Sequence, residues 1–305
     1  MGDAQFQLPV GMHLFERGWL SSNNILFVSD TGTALVDSGY VRHAPQTLAL
    51  VQHALQGQSL DLLVNTHLHS DHCGGNALLQ QTYACKTLIP SADMPLVERW
   101  DETQLSFDGT GQECPRFTAD LGLQEGQLLQ LGHLSWQVLG APGHDPHSVV
   151  LYCAQEGLLI SADALWENGF GVIFPELEGE SGFAEQAAIL QLIEELDIRL
   201  VIPGHGAAFT DKQAAIDRAR SRLDYLAADT KRNARNAIKV LIAFMLLDKR
   251  EITVSQLSHY LTSVRMMRIA VEQLAVPATT LLPQLIQELI KAGAARLEGE
   301  RLLST

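Results

Sequence analysis

The chain has 305 residues, of which 46% are hydrophobic and 18% charged, and its net charge is −14. Its apolar runs are shorter than the roughly 20 residues that a membrane span needs, and its N-terminus lacks the basic and apolar segments of a signal peptide. The four cysteines form no C-x-x-C pair or disulfide-like pattern. We therefore expect a cytoplasmic protein with no membrane partner, whose acidic charge disfavours a nucleic-acid backbone.

The first part of the chain predicts strands, then a helix, then another strand. Residues 12–38 alternate as in a β meander, with turns at Asn23-Asn24 and Asp30-Thr31-Gly32. Residues 45–56 have helical spacing, and Gly57 ends that helix. The short apolar run at 62–64 predicts a buried strand.

Directly after this run, three histidines and one aspartate fall within six residues: His67, His69, Asp71 and His72. Imidazole and carboxylate groups are the ligands that Zn²⁺ and similar divalent ions take. Alternation through a strand end and a tight loop directs His67 and His69 one way, and the other two toward a neighbouring position. The spacing predicts two ligands for each of two metal ions, and it is too dense for a polar loop that is rich in histidine by chance.

The next segments predict further strands and two helices. Residues 76–81 and 184–196 have helical patterns, whereas 87–90, 149–153, 157–160 and 200–202 predict strands and 128–139 a hairpin. Residues 100–117 are polar and contain glycine and proline, which predicts a long loop. Such a loop either contacts substrate or decorates the surface.

After Gly206 the pattern becomes helical. Helices are predicted at 212–226, 238–247, 253–260 and 281–292, followed by a hairpin at 295–303 that turns at Glu298-Gly299. From Thr210 onward 15 Lys and Arg residues accompany 10 Asp and Glu residues, so the local charge changes sign. We predict two domains, residues 1–210 and a helical, winged-helix-like domain at residues 211–305.

Three later residues share the context of the first cluster. His144, Asp163 and His205 each stand where an apolar strand gives way to a loop. One His or Asp at a strand end is usually a turn residue. The repetition of the same context in three places predicts that all three join the metal site.

These residues together resemble the metallo-β-lactamase-fold hydrolases, whose five motifs occur here in order over residues 10–210. They are Asp37, His67-x-His69-x-Asp71-His72, His144, Asp163 and His205. The resemblance implies an α+β fold, a four-layer αββα sandwich with a binuclear site at one edge. Residues 216–303 resemble the winged-helix extension of a subgroup that includes a β-lactamase-like endoribonuclease.

The resemblance also implies roles for the ligands. His67, His69 and His144 would hold one metal ion, Asp71, His72 and His205 a second, and Asp163 would bridge the two. Asp37 would orient the ligands from behind, and Asp71 would also take or pass a proton in catalysis. The cofactors would be two divalent ions, zinc first, with iron or manganese as alternatives.

The substrate is predicted less directly. Members that destroy β-lactams tend to carry Cys or Ser where Asp163 stands, so this chain is more similar to the glyoxalase II, lactonase and nuclease branches. We predict hydrolysis of an anionic small-molecule ester or thioester, bound by Arg218 and Arg222 on one helical face, unless that face is simply solvated.

Two alternatives stay open. The first is an endoribonuclease or phosphodiesterase acting on RNA, against which stand the net charge and the lack of an aromatic-basic stacking patch. The second is a mononuclear-iron persulfide dioxygenase, which the complete second ligand set disfavours. The C-terminal domain also leaves a homodimer open.

Overall fold

Two β-sheets lie face to face at the centre of the computed structural model, which describes residues 7–305. The first sheet has six strands, which follow one another in chain order: β1 (Met12–Phe15), β2 (Asn24–Ser29), β3 (Gly32–Val36), β4 (Leu62–Val64), β5 (Lys86–Pro90) and β6 (Leu121–Leu123). The second sheet has five: β7 (Leu128–Leu131), β8 (Leu134–Gly140), β9 (Val149–Cys153), β10 (Leu158–Ala162) and β11 (Leu200–Pro203).

The apolar run at β4 is buried on both faces of its sheet. Val64 points inward, into a cluster that it shares with Val138 and Ile160 of the second sheet. Leu63 points outward, into a cluster with Val51 of the first helix. Since successive strand residues face opposite sides, a continuous apolar run is what a strand covered on both faces requires.

Helices cover the outer face of each sheet. Those of the first part of the chain are α1 (Ala44–Leu55), α2 (Ser70–Cys73), α3 (Asn76–Tyr83), α4 (Met94–Arg99), α5 (Phe107–Thr110), α6 (Phe183–Glu195) and α7 (Lys212–Ala227). Helix α1 packs on the first sheet, whereas α6 and α7 pack on the second through residues such as Ile189 and Ile216. The predicted four-layer αββα sandwich is confirmed.

The C-terminal part has its own core and a small sheet. Its elements are α8 (Thr230–Lys249), β12 (Glu251–Thr253), α9 (Val254–Ser263), α10 (Arg265–Leu274), α11 (Ala278–Lys291), β13 (Ala295–Glu298) and β14 (Arg301–Ser304). The sheet order is β12-β14-β13, and the terminal hairpin pairs Glu298 with Arg301. A C-terminal helical region is therefore present, while its assignment as a winged helix stays a prediction.

The structure differs from the sequence patterns in two of these helices. Helix α8 begins at Thr230, well before the predicted residue 238, because the side chain of Asp229 caps its N-terminus by accepting from the Lys231 amide. Helix α10 was not predicted, since Val264 precedes it and offers no capping side chain. Helix α7, which begins after the predicted domain boundary at residue 210, packs in the same core as α6. The boundary itself stays a prediction.

Membrane-span criteria were met by none of the individual helices within residues 7–305. Helices α10 and α11 meet the length and hydropathy criteria only when they are taken together, and they meet at a bend of 102°. Both helices contribute residues to the C-terminal core, among them Met267 and Leu285.

Candidate metal centre

The carboxyl ends of five strands meet at one edge of the sandwich. Strands β3 and β4 are parallel. In the second sheet β8 and β10 both run antiparallel to β9, and β11 runs parallel to β10. The residues that follow these strands are Asp37, His67, His144, Asp163 and His205. Backbone hydrogen bonds from Val149 N to Thr66 O, 2.9 Å, and from Asn23 N to Gly204 O, 2.7 Å, join the two sheets at this edge.

Three histidine nitrogens converge in a first donor set. His69 Nδ1 lies 3.1 Å from His67 Nε2 and 2.8 Å from His144 Nε2. His144 Nδ1 donates to the carbonyl of Val172, so its Nε2 faces the set with a lone pair. A neutral imidazole has one N–H donor and one lone pair, so three lone pairs that converge at these distances cannot all receive a hydrogen bond. A divalent cation would accept all three.

A second donor set lies beside the first. Its members are Asp71, His72 and His205, whose ligand atoms lie within 4.8 Å of one another. Asp71 Oδ2 is 3.1 Å from His205 Nε2. His72 Nε2 is buried and, within residues 7–305, has no hydrogen-bond partner. A buried polar atom without a partner is costly, and its position in this set fits a metal ligand.

Asp163 stands between the two sets. Its Oδ2 lies 3.4 Å from His144 Nε2 of the first set, and its Oδ1 lies 3.4 Å from His72 Nε2 of the second. Trp166 Nε1 donates to Oδ1 at 3.1 Å, which fixes the carboxylate. One carboxylate that faces both sets with different oxygens has the geometry of a bridging ligand.

Asp37 supports the second set from behind. Its carboxylate accepts hydrogen bonds from the amide and the hydroxyl of Thr66, at 2.9 and 2.8 Å, and lies 2.8 Å from His72 Nδ1. With Nδ1 donating to Asp37, the Nε2 of His72 is left as the donor atom that faces the site. Asp37 is held at φ 56°, a left-handed backbone that side chains rarely adopt.

Burial and charge prepare these groups for a cation. Burial lowers the pKa of His69 and of His144 to about 4 each, and that of His67 well below its usual range, so all three are neutral at pH 7. Burial opposes the protonation of His72, but the carboxylates of Asp163 and Asp37 outweigh it and hold its pKa well above the usual value. The same carboxylates attract positive charge, either a proton on His72 or a metal ion that displaces it, so the chemistry of the set fits divalent metal ions.

A cavity lies over the two donor sets. It is bounded by Asp71, His144, Asp163 and His205 on one side and by Trp19, Trp166, Phe174, Val240, Leu241 and Phe244 on others. The predicted loop at 100–117 reaches this cavity through Thr110 and Gln112. A substrate in the cavity would contact both sets of ligands.

The two arginines predicted to bind substrate make other contacts. Arg218 Nε donates to the carbonyl of Glu167 at 2.8 Å, and the guanidinium of Arg222 lies over the ring of Phe170 at 5.3 Å. Within the described residues neither lines the cavity. Both therefore brace the segment that carries Trp166, and their proposed role in binding substrate stays an untested prediction.

The sequence patterns did not identify the aromatic residues beside the ligands. Trp19 stacks on His205 with ring centroids 5.4 Å apart, and Trp166 meets the same ring edge to face at 5.4 Å. A second polar pair was also missed: His147 Nδ1 lies 2.7 Å from Asp93 Oδ1, in a neighbouring cavity that His69 also lines. The sequence analysis singled out none of these residues, and their tertiary contacts identify them.

Comparison with known proteins adds relatives of this chain. Over 150 residues it is 31% identical to a hydroxyacylglutathione hydrolase of Rhodopseudomonas palustris (strain BisB18), a match that covers 48% of each protein. It is 27% identical over 203 residues to a probable metallo-hydrolase of Methanocaldococcus jannaschii, covering 62% of this chain and 90% of that protein. The chain thus spans about half the length of the hydroxyacylglutathione hydrolase it matches.

Solved structures extend the likeness to the C-terminal part. A β-lactamase domain protein from Burkholderia ambifaria matches with a TM-score of 0.62 and 19% identity, over 98% of this chain and 94% of that one. A protein solved in a di-iron-bound form matches with a TM-score of 0.54 and 27% identity, over 68% and 98%. The family model described as the metallo-β-lactamase superfamily matches residues 17–205. The chain therefore belongs to the metallo-β-lactamase superfamily.

Proposed function

We propose that this protein is a hydrolase that uses two divalent metal ions, zinc first, to cleave a small-molecule ester or thioester. The observation that carries the proposal is the pair of donor sets that face Asp163 from two sides. His67, His69 and His144 would hold one ion, and Asp71, His72 and His205 would hold the other. The neighbour solved in a di-iron-bound form supports two ions and keeps iron as an alternative to zinc; manganese is a second alternative.

Each residue has a defined task in this proposal. Two ions held by the donor sets would lower the pKa of water and polarise the carbonyl of the substrate. Asp71 borders the cavity and is ionised at neutral pH, since His205 and His72 outweigh its burial and lower its pKa. It would take the proton released when water adds to the carbonyl carbon. Asp37 holds His72 in place, and Trp166 does the same for Asp163.

The choice of ester or thioester rests on the relatives and on the cavity. The hydroxyacylglutathione hydrolase that matches half of this chain is named for a thioester substrate. The alternative of RNA cleavage needs cations near the cavity, and Arg218 and Arg222 are engaged elsewhere. The single-iron persulfide alternative leaves the second donor set without a task. No observation favours either alternative.

Metal analysis tests the two-ion part of the proposal. Protein purified without added metal and dialysed exhaustively is expected to contain about two equivalents of divalent metal by mass spectrometry. The variant His69→Ala is expected to lose metal and hydrolysis, while His53→Ala, an exposed histidine of α1, is expected to retain both. One equivalent of iron in the wild type would contradict the proposal.

A substrate panel tests the reaction. S-lactoylglutathione, acetyl-CoA, a homoserine lactone and single-stranded RNA would be assayed in parallel with wild type, His69→Ala and His53→Ala. We expect turnover of one or more of the esters or thioesters that disappears only in His69→Ala. Cleavage of RNA alone, with the same dependence on His69, would replace the proposed substrate class by a polynucleotide.

A further inference from the structure

The cavity over the metal centre has an apolar wall, half of which the C-terminal part supplies. Val240, Leu241 and Phe244 of α8 line it together with Trp19, Trp166 and Phe174, and we name these six residues the α8 compartment. We propose that the α8 compartment binds an uncharged, apolar acyl group of the substrate. This inference rests on the proposed function, because it concerns the acyl side of the bond that the metal centre would cleave.

The polar groups of the cavity argue against a charged acyl group. Within residues 7–305 no lysine or arginine lines the cavity. Apart from the donor sets, its polar side chains include Thr110, whose hydroxyl donates to the carbonyl of Ser106, and Gln112, whose amide oxygen accepts from Ser70. A carboxylate placed against the six apolar side chains would lose water and meet no basic side chain, whereas a hydrocarbon loses no hydrogen bond there.

Two residues of the compartment expose apolar surface that a ligand would cover. Trp19 is 57% exposed and Val240 42% exposed, although both are large hydrophobic residues. Neighbouring residues of α8, such as Leu241 and Ile242, are buried in the C-terminal core. Each methylene group buried against such surface contributes about 0.8 kcal/mol, which corresponds to about a fourfold gain in kcat/KM per methylene.

The wall is fixed relative to the metal centre by contacts along the length of α8. Near its start, Asn233 Nδ2 donates to the carbonyl of Ile173 at 2.9 Å. Further along, Phe244 meets Tyr40 edge to face with centroids 5.0 Å apart, and Asp248 pairs with Arg42 at 2.7 Å. Helix α8 is therefore held in place as one wall of the site. Through this wall the C-terminal part would take part in substrate selection.

The test is the dependence of kcat/KM on acyl length in the full metal-loaded protein. Acetyl, butyryl and hexanoyl thioesters of N-acetylcysteamine share one neutral leaving group. In the wild type kcat/KM is expected to rise by about fourfold per methylene until the chain passes Val240 and Trp19. Val240→Ser is expected to reduce the gain from acetyl to hexanoyl by about fivefold. Ile290→Ser is the matched control, since Ile290 is 41% exposed on α11 and outside the cavity.

The outcomes separate this inference from the proposed function. Hydrolysis of all three thioesters at equal kcat/KM, or an equal reduction of the gain in Val240→Ser and Ile290→Ser, overturns the inference and leaves the hydrolase proposal intact. Failure to cleave any ester or thioester overturns both. Melting temperatures of the two variants within a few degrees of each other ensure that the comparison measures binding, since both replace a half-exposed helical side chain.

Discussion

Gly204 lies so close to Asp163 that one added methyl group should displace the carboxylate. An alanine Cβ at residue 204 would lie 2.2 Å from Asp163 Oδ1 and 3.0 Å from His72 Cε1. Real Cβ atoms do not come closer than about 3.0 Å, so Asp163 Oδ1 would have to move by about 0.8 Å. The backbone of Gly204 is not left-handed, so the substitution adds no backbone strain at that residue.

The magnitude follows from two known sensitivities. Overpacking a closely packed site costs about 1–3 kcal/mol in the free energy of unfolding. A misplacement of about 1 Å in a catalytic group lowers the rate about 100-fold. For Gly204→Ala we therefore expect a modest loss of stability together with a loss of roughly two orders of magnitude in kcat/KM.

The assay compares Gly204→Ala with Gly18→Ala. Gly18 also has an ordinary backbone, and a Cβ there would meet nothing within 4 Å, so this variant controls for the glycine-to-alanine change itself. Metal content, kcat/KM for a cleaved thioester and urea unfolding would be measured for both. Equal metal content and equal kcat/KM in the two variants would refute the bridging position of Asp163.

Three further predictions concern the ligands and their supports. Asp37→Asn replaces an acceptor of three hydrogen bonds by an amide, so metal affinity should fall by about 10–100-fold, measured by competition with a chromophoric chelator. Without metal, the free energy of unfolding should fall as the pH is lowered from 6.5 to 4, because the pKa values of His69 and His144 are about 4 in the folded protein and the unfolded chain binds more protons in this range. In urea unfolding, His69→Gln should make this decline shallower. An unchanged slope would contradict the burial of the His69 side chain. Chelation should lower the melting temperature of the wild type but not that of His69→Ala, since a ligand at 100 times its Kd adds about 2.7 kcal/mol.

The sequence predicted the sandwich, and it predicted the residues that meet at one edge of it, for a physical reason. Strand periodicity identifies where each strand ends, and polar residues at those ends repeat the same local context. Because β3 and β4 are parallel, Asp37 and His67 reach the same edge of the sheet. This placement can be predicted without knowledge of side-chain packing. The same reasoning applies to Asp163 and His205, which follow the parallel pair β10 and β11.

The sequence could not predict the wall of the cavity, because that wall depends on contacts between distant segments. Val240 lies 35 residues beyond the last ligand, and its helical pattern is compatible with any surface helix. The contacts of Arg218 were also not predictable from the sequence. Its position on a basic helix suggested an anion site, and in the structure its guanidinium donates to the carbonyl of Glu167.

Backbone strain at the sheet edge shows that the site is retained at a cost to stability. Asp37 and Ala162 both have left-handed backbones, with φ of 56° and 44°, and each such residue costs about 1–3 kcal/mol. Asp37 directly follows β3, and Ala162 is the last residue of β10, directly before Asp163. The turns at these two residues direct the side chains of Asp37 and Asp163 into the site. Buried carboxylates add a desolvation cost, which His72 Nδ1 offsets for Asp37 through their 2.8 Å contact. Strands β3 and β10 each have a paired strand on both sides, which supports the strained residues at their ends. The free energy of a bound cation would act where the strain is concentrated.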